Sequence, residues 1–134
     1  MKVRKKLGRT CPCYSGLAYR RCCRPLHQGE AAPSAEALMR SRFAAYKLGA
    51  ADYILATTHP EGEHFEEDAE KWRLGVRRFC ESTEFDGLEI LDAGETFVHF
   101  HAVLRQGGAD ASFTEHSTFV KHDGHWKYLD GESQ

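Results

Sequence analysis

Residues 97–104 read FVHFHAVL, so Val98, Phe100, Ala102 and Leu104 alternate with His99, His101 and Val103. A period of two places the first set on one face of an extended chain and the second on the other, which is the pattern of a strand with one buried face. The alternation predicts a strand over 96–106, flanked by further strands near 85–92, 111–121 and 125–130. Gly107-Gly108-Ala109-Asp110 and His122-Asp123-Gly124 are turn sequences that join antiparallel neighbours. The C-terminal half therefore reads as a meander.

Before Glu84 the period is helical. Ser34 reads as the N-cap of a helix that runs to Leu48, with Gly49 as its stop. Ala35, Leu38, Met39, Arg42, Phe43 and Tyr46 fall on one side of it. A short helix over 50–57 ends ahead of His59-Pro60, because the residue before a proline avoids the helical region. The clearest stripe is Phe65, Ala69, Trp72, Val76 and Phe79, which predicts an amphipathic helix over 65–82. Helices followed by strands indicate an α+β fold, in which a curved antiparallel sheet packs over the helices.

The chain has 134 residues, 41% of them hydrophobic, which suits one core and a small appendage. No apolar run approaches the roughly 20 residues of a membrane span. The basic start MKVRKKLGRT is not followed by the apolar segment of a secretion signal, so the expectation is a cytoplasmic protein with no membrane span. Charge is distributed unevenly. Residues 1–24 hold Lys2, Arg4, Lys5, Lys6, Arg9, Arg20, Arg21 and Arg24 and no acid, a charge of +8, while the remainder carries −10. A basic head on an acidic body suggests an anionic partner for the head, RNA or an acidic protein surface.

Four of the five cysteines lie within residues 11–23: Cys11, Cys13, Cys22 and Cys23. In a reducing compartment such clustering favours a metal over disulfides. Four soft thiolates suit a tetrahedral zinc ion, and no open position with a neighbouring base is apparent. Leu17 and Tyr19 are expected to pack against the site. His27 is a nearby nitrogen that four cysteines make unnecessary.

Residues 11–23, with Pro12, Ser15, Gly16 and Tyr19 beside the four cysteines, resemble the SEC-C motif, the short module at the C-terminus of SecA. The resemblance implies binding of zinc, with iron as the alternative metal, and contacts with proteins or the ribosome. The residue after the second cysteine is commonly glycine in that motif, and here it is Tyr14. The remainder resembles the YchJ-like (UPF0225) proteins through residues 37–46, ALMRSRFAAY, through Asp52-Tyr53, Thr58-His59-Pro60 and Glu115-His116-Ser117, and through the closing Trp126-Lys127-Tyr128-Leu129-Asp130-Gly131. That resemblance implies an NTF2-like (cystatin-like) cone and supplies no substrate. The expected organisation is a basic arm over 1–10, the SEC-C motif over 11–24, a linker over 25–33 and the NTF2-like domain over 34–134.

A cone of this kind opens at one end. Glu115 and Ser117 share a strand face with Phe113 and Phe119, and Arg42 lies on the apolar stripe of the first long helix. Glu115 and Arg42 are therefore expected to pair inside the cone, with Tyr46, Tyr53, His59 and Tyr128 around them. One reading is a buried pair that fixes helix against sheet. The other is a ligand or catalytic pocket with Glu115 as base and Tyr128 as polariser. His99, His101, His116 and His122 read as solvated strand residues, and Cys80 as an apolar filler.

Overall fold

The computed structural model describes residues 10–134. After a single 3-10 turn at Tyr19–Arg21 come four helices: α1 (Arg24–His27), α2 (Ala35–Leu48), α3 (Ala51–Ala56) and α4 (Ala69–Glu81). Five strands follow: β1 (Glu84–Ala93), β2 (Phe97–Gln106), β3 (Ala109–Asp110), β4 (Phe113–His122) and β5 (His125–Ser133). The sheet runs β1-β2-β4-β5, antiparallel throughout, and the short β3 pairs with β2. Register shifts at Phe85/Gly87 and Ile90/Asp92 in β1, and at Leu129 of β5 opposite Thr118 and Phe119, add the local twist that curves the sheet.

Helix α2 begins where the Ser34 hydroxyl accepts from the Ala37 N–H, and it ends at Gly49, whose φ of 76° is left-handed. Its Leu38, Met39 and Phe43 pack on Val98, Phe100, Ala102 and Leu104, the alternating set of β2. The same helix is buried on a second side, where Ser41, Ala44 and Ala45 are almost fully covered. Small residues there let another part of the chain approach closely.

Two expectations change at element level. The helix predicted from Phe65 begins at Ala69, because the Asp68 carboxylate caps it by accepting from the Lys71 N–H, and Phe65 stays in the preceding turn with its ring against Trp72. The stretch expected to be a linker contains α1, a helix opened by Pro25 and anchored by buried Leu26. No described helix is long and apolar enough to cross a membrane.

Candidate metal centre and the cavity of the cone

The four cysteines converge. Cys11 and Cys13 sit on one tight turn, in which Tyr14 N–H donates to Cys11 C=O and Cys11 N–H to Leu17 C=O. Cys22 and Cys23 sit on the step from the 3-10 turn into α1. Their sulfurs all lie within 4.8 Å of one another, with Cys13–Cys22 at 3.5 Å and Cys22–Cys23 at 3.9 Å. A tetrahedron with metal–sulfur bonds of about 2.3 Å has sulfur–sulfur edges of about 3.8 Å, so this spacing fits one ion. Cys11, Cys13 and Cys23 are buried, as a closed structural site requires. As bare thiols the four share charge unevenly. Hydrogen bonds from Cys11 and then Cys23 hold Cys13 far below the ordinary thiol range, while its bond to Cys13 pushes Cys11 up to about 12. A divalent ion would replace the shared protons and let all four ionise.

The centre is built into the helical layer. Ala44 of α2 closes one cluster with Cys11, Cys13 and Cys23, and Arg40 donates from Nη1 to the Cys13 carbonyl at 3.1 Å. His27 bridges the two parts: its Nδ1 is 2.7 Å from the Tyr19 hydroxyl and its Nε2 is 2.8 Å from the Ser41 carbonyl. With both ring nitrogens engaged, His27 is no metal ligand, and burial holds its pKa below the usual value. Tyr19 packs on the cluster as expected, but Leu17 does not; it is 56% exposed. Tyr14 has a left-handed φ of 63°, which explains why glycine suits this position. Its side chain compensates by docking on the body: the hydroxyl donates to Phe85 C=O at 2.9 Å, and Lys47 lies over the ring.

Arg20, Arg21 and Arg24 are exposed and have no carboxylate partner among the described residues. Lys2, Arg4, Lys5, Lys6 and Arg9 lie outside the described residues.

On the other side of α2, between the helices and the sheet, is a cavity of about 290 Å³. Its walls are apolar, with Met39, Phe43, Phe79, Phe85, Phe100 and Leu104 among them. Arg42, Tyr46, Glu115, Ser117 and Tyr128 form its polar part, and exposed His64, stacked on Tyr128, lies at the rim. The expected Arg42–Glu115 pair does not form. Arg42 turns to the C-terminal end of α3, where its Nη1 donates to Ile54 C=O at 3.2 Å, Thr57 Oγ1 at 2.8 Å and Thr58 Oγ1 at 3.1 Å. Unsatisfied carbonyls at a helix C-terminus attract a cation. Glu115 Oε2 accepts instead from Ser117 Oγ at 2.6 Å and from the Tyr128 hydroxyl at 3.3 Å. The Tyr128 ring, 4.7 Å from the Arg42 guanidinium, links the two charges, and burial followed by the Glu115 charge pushes its hydroxyl above the ordinary phenol range.

Tyr53 and His59 do not line this cavity. Tyr53 projects from α3 toward the metal centre, where its hydroxyl meets Ser41 Oγ at 2.8 Å and its ring meets His27. His59 donates its backbone N–H to Tyr128 C=O and places its ring beside His122. The strand histidines are less solvated than expected: His101 Nδ1 bonds Thr114 Oγ1, and His99 Nε2 is buried with no partner among the described residues. The sequence alone assigns no role to His64, and it marks Gly131 only within the closing family pattern. No pattern marks His64, but a glycine inside a strand signals a close approach, and a Cβ on Gly131 would overlap the Glu115 carboxylate.

The comparisons agree with this architecture. The family model for the YchJ middle NTF2-like domain matches residues 34–131. A UPF0225 protein of Deinococcus radiodurans is 42% identical over 122 residues, spanning 90% of this chain and 86% of its own length. The solution structure of a SEC-C motif containing protein from Rhodopseudomonas palustris superposes with a TM-score of 0.77 at 37% identity, covering 93% of this chain and 98% of that one. A crystal structure of a SEC-C motif containing protein from Psychrobacter arcticus gives a TM-score of 0.74 at 27% identity, covering 92% and 83%. An NTF2-like α+β domain carrying a four-cysteine cluster able to hold a metal ion is thus the class defined by fold and site. The chain belongs to the YchJ-like, UPF0225 family.

Proposed function

We propose that this chain is a zinc-binding accessory protein whose basic head docks on RNA. Zinc on Cys11, Cys13, Cys22 and Cys23 holds the head together and seats it on α2; iron is the alternative metal for a four-thiolate site. The observation that carries the docking reading is the cationic face of Arg20, Arg21 and Arg24, exposed and without acidic partners among the described residues. The basic residues Lys2, Arg4, Lys5, Lys6 and Arg9 add five positive charges to the same head in sequence, and the acidic body would keep other surfaces away from a polyanion. Phosphate contacts of this kind follow the backbone and release counterions, so affinity falls steeply with salt.

The test is binding to a ribosomal RNA fragment across a salt series, comparing the whole protein with a triple Arg20→Ala, Arg21→Ala, Arg24→Ala variant. The expected result is weaker binding by the variant, with a log–log salt slope shallower by about 2–3. Equal binding and equal slope would move the docking surface elsewhere. Absence of RNA binding, together with salt-sensitive binding to an acidic protein, would replace RNA as the partner class.

A further inference from the structure

We propose that the cone cavity binds a neutral, ring-sized organic molecule through a hydroxyl or amide group held between Glu115 and Arg42. The first support is shape. About 290 Å³ enclosed by aromatic and aliphatic walls lies at the small end of ligand pockets, enough for one or two fused rings. Phe43, Phe85, Phe100 and Phe113 offer ring edges and faces to such a molecule.

The second support is the unused hydrogen-bonding capacity at the polar end. Arg42 employs Nη1 for all three of its bonds to the end of α3, so Nε and Nη2 are not used there and, among the described residues, have only the Tyr46 hydroxyl as a near neighbour. Glu115 accepts both of its bonds on Oε2, leaving Oε1 without one. Both side chains line the cavity. A hydroxyl donates once and accepts, and an amide does the same with two atoms, so either satisfies a carboxylate oxygen and a guanidinium N–H together. A buried polar group left unmatched is costly, which gives such a ligand its selectivity.

The third support is charge. One cation and one anion share the polar end, so a ligand ion of either sign would meet a like charge after losing its own hydration. A neutral ligand avoids that penalty. Gly131 keeps this arrangement open. It pairs across the sheet with Ser117, and any side chain on it would collide with the Glu115 carboxylate and drive it from its place. A core that only needed filling would not require a glycine beneath a carboxylate.

The experiment uses the full-length, metal-loaded protein and three probes with one ring system: 2-naphthol, 2-naphthoate and 2-naphthylmethylammonium. NMR titration reads both affinity and location. The expected result is that 2-naphthol shifts signals of Phe100, Leu104, Glu115 and Tyr128 and binds about tenfold more tightly than either ion. Glu115→Gln should weaken 2-naphthol roughly threefold to tenfold and strengthen 2-naphthoate, because the like charge is gone. Ala102→Met fills the cavity without adding a polar group, and a well-dispersed spectrum of that variant certifies its fold; all three probes should lose binding. No shifts at these residues with 2-naphthol at saturation would overturn the proposal, as would binding that survives Ala102→Met. Equal affinity for 2-naphthol and 2-naphthoate would overturn the neutral-ligand claim.

Discussion

Helices α2 and α4 are nearly equal in length, 14 and 13 residues, yet eight residues of α2 are buried and none of α4 is. The sequence shows the cleaner apolar stripe on α4. The stripe of α2 is interrupted by Arg42 and bordered by small residues. Periodicity therefore reports that a helix has an apolar face, and not how much cover that face finds. Helix α2 is covered twice, by the sheet through Phe43 and Leu38 and by the thiol cluster through Ala44. Helix α4 lies beside the opening of the cone and touches the interior mainly through Phe79, whose ring sits 5.7 Å from Tyr46 and 5.8 Å from Phe85.

The largest expected effect removes one of the two covers of α2. Cys13→Ser, or exhaustive chelation, should unfold residues 10–27 and destabilise the protein by more than about 4 kcal/mol, since metal binding in so small a module is folding free energy. Amide exchange should then accelerate at Arg40, Ser41 and Ala44 as well as in the head, because these residues contact it. Exchange confined to the head would show that α2 does not depend on the module.

Next in size is a matched pair of truncations. Phe43→Ala, at a site 4% exposed, should cost about 3–5 kcal/mol in chemical denaturation. Phe79→Ala, at 36% exposure, should cost about 1–2 kcal/mol. Equal costs would break the contrast between the helices.

A smaller effect sharpens the contact between head and helix. Burial depresses the pKa of His27, so the unfolded chain takes up its proton first as pH falls. The stability contributed by neutral His27 is present above about pH 6.5 and is lost as pH descends toward the lower folded value. Comparing pH 7.5 with pH 5.5, His27→Gln should begin less stable and lose less than the natural sequence does. An identical pH dependence in both proteins would remove His27 from the account. The smallest effect is expected at Leu74, 48% exposed on α4, where Leu74→Lys should change stability by no more than about 0.5 kcal/mol.

Much of this was legible in sequence because local chemistry dictated it. Ser34 and Gly49 bound α2 as a cap and a left-handed stop should, and the β2 alternation places Val98, Phe100, Ala102 and Leu104 inside. The cysteines were readable because their residue type and spacing leave few other roles. Relationships between distant elements were not readable. The capture of Arg42 by the end of α3 depends on where that short helix stops, and the position of Tyr53 on its rotation toward Ser41. The seat of the head arises from Ala44, which packs on the cysteines and reads in sequence as an ordinary helix former, and from the Ser41 carbonyl that His27 meets.

One ion on four thiolates is proposed to join the head to α2. X-ray absorption spectroscopy of the purified protein at the zinc edge, with metal content measured on the same sample, tests it most directly. The expected result is about one zinc per chain in an all-sulfur shell of four ligands at about 2.3 Å. A shell containing nitrogen or oxygen ligands, or a folded head with no bound metal, would contradict it.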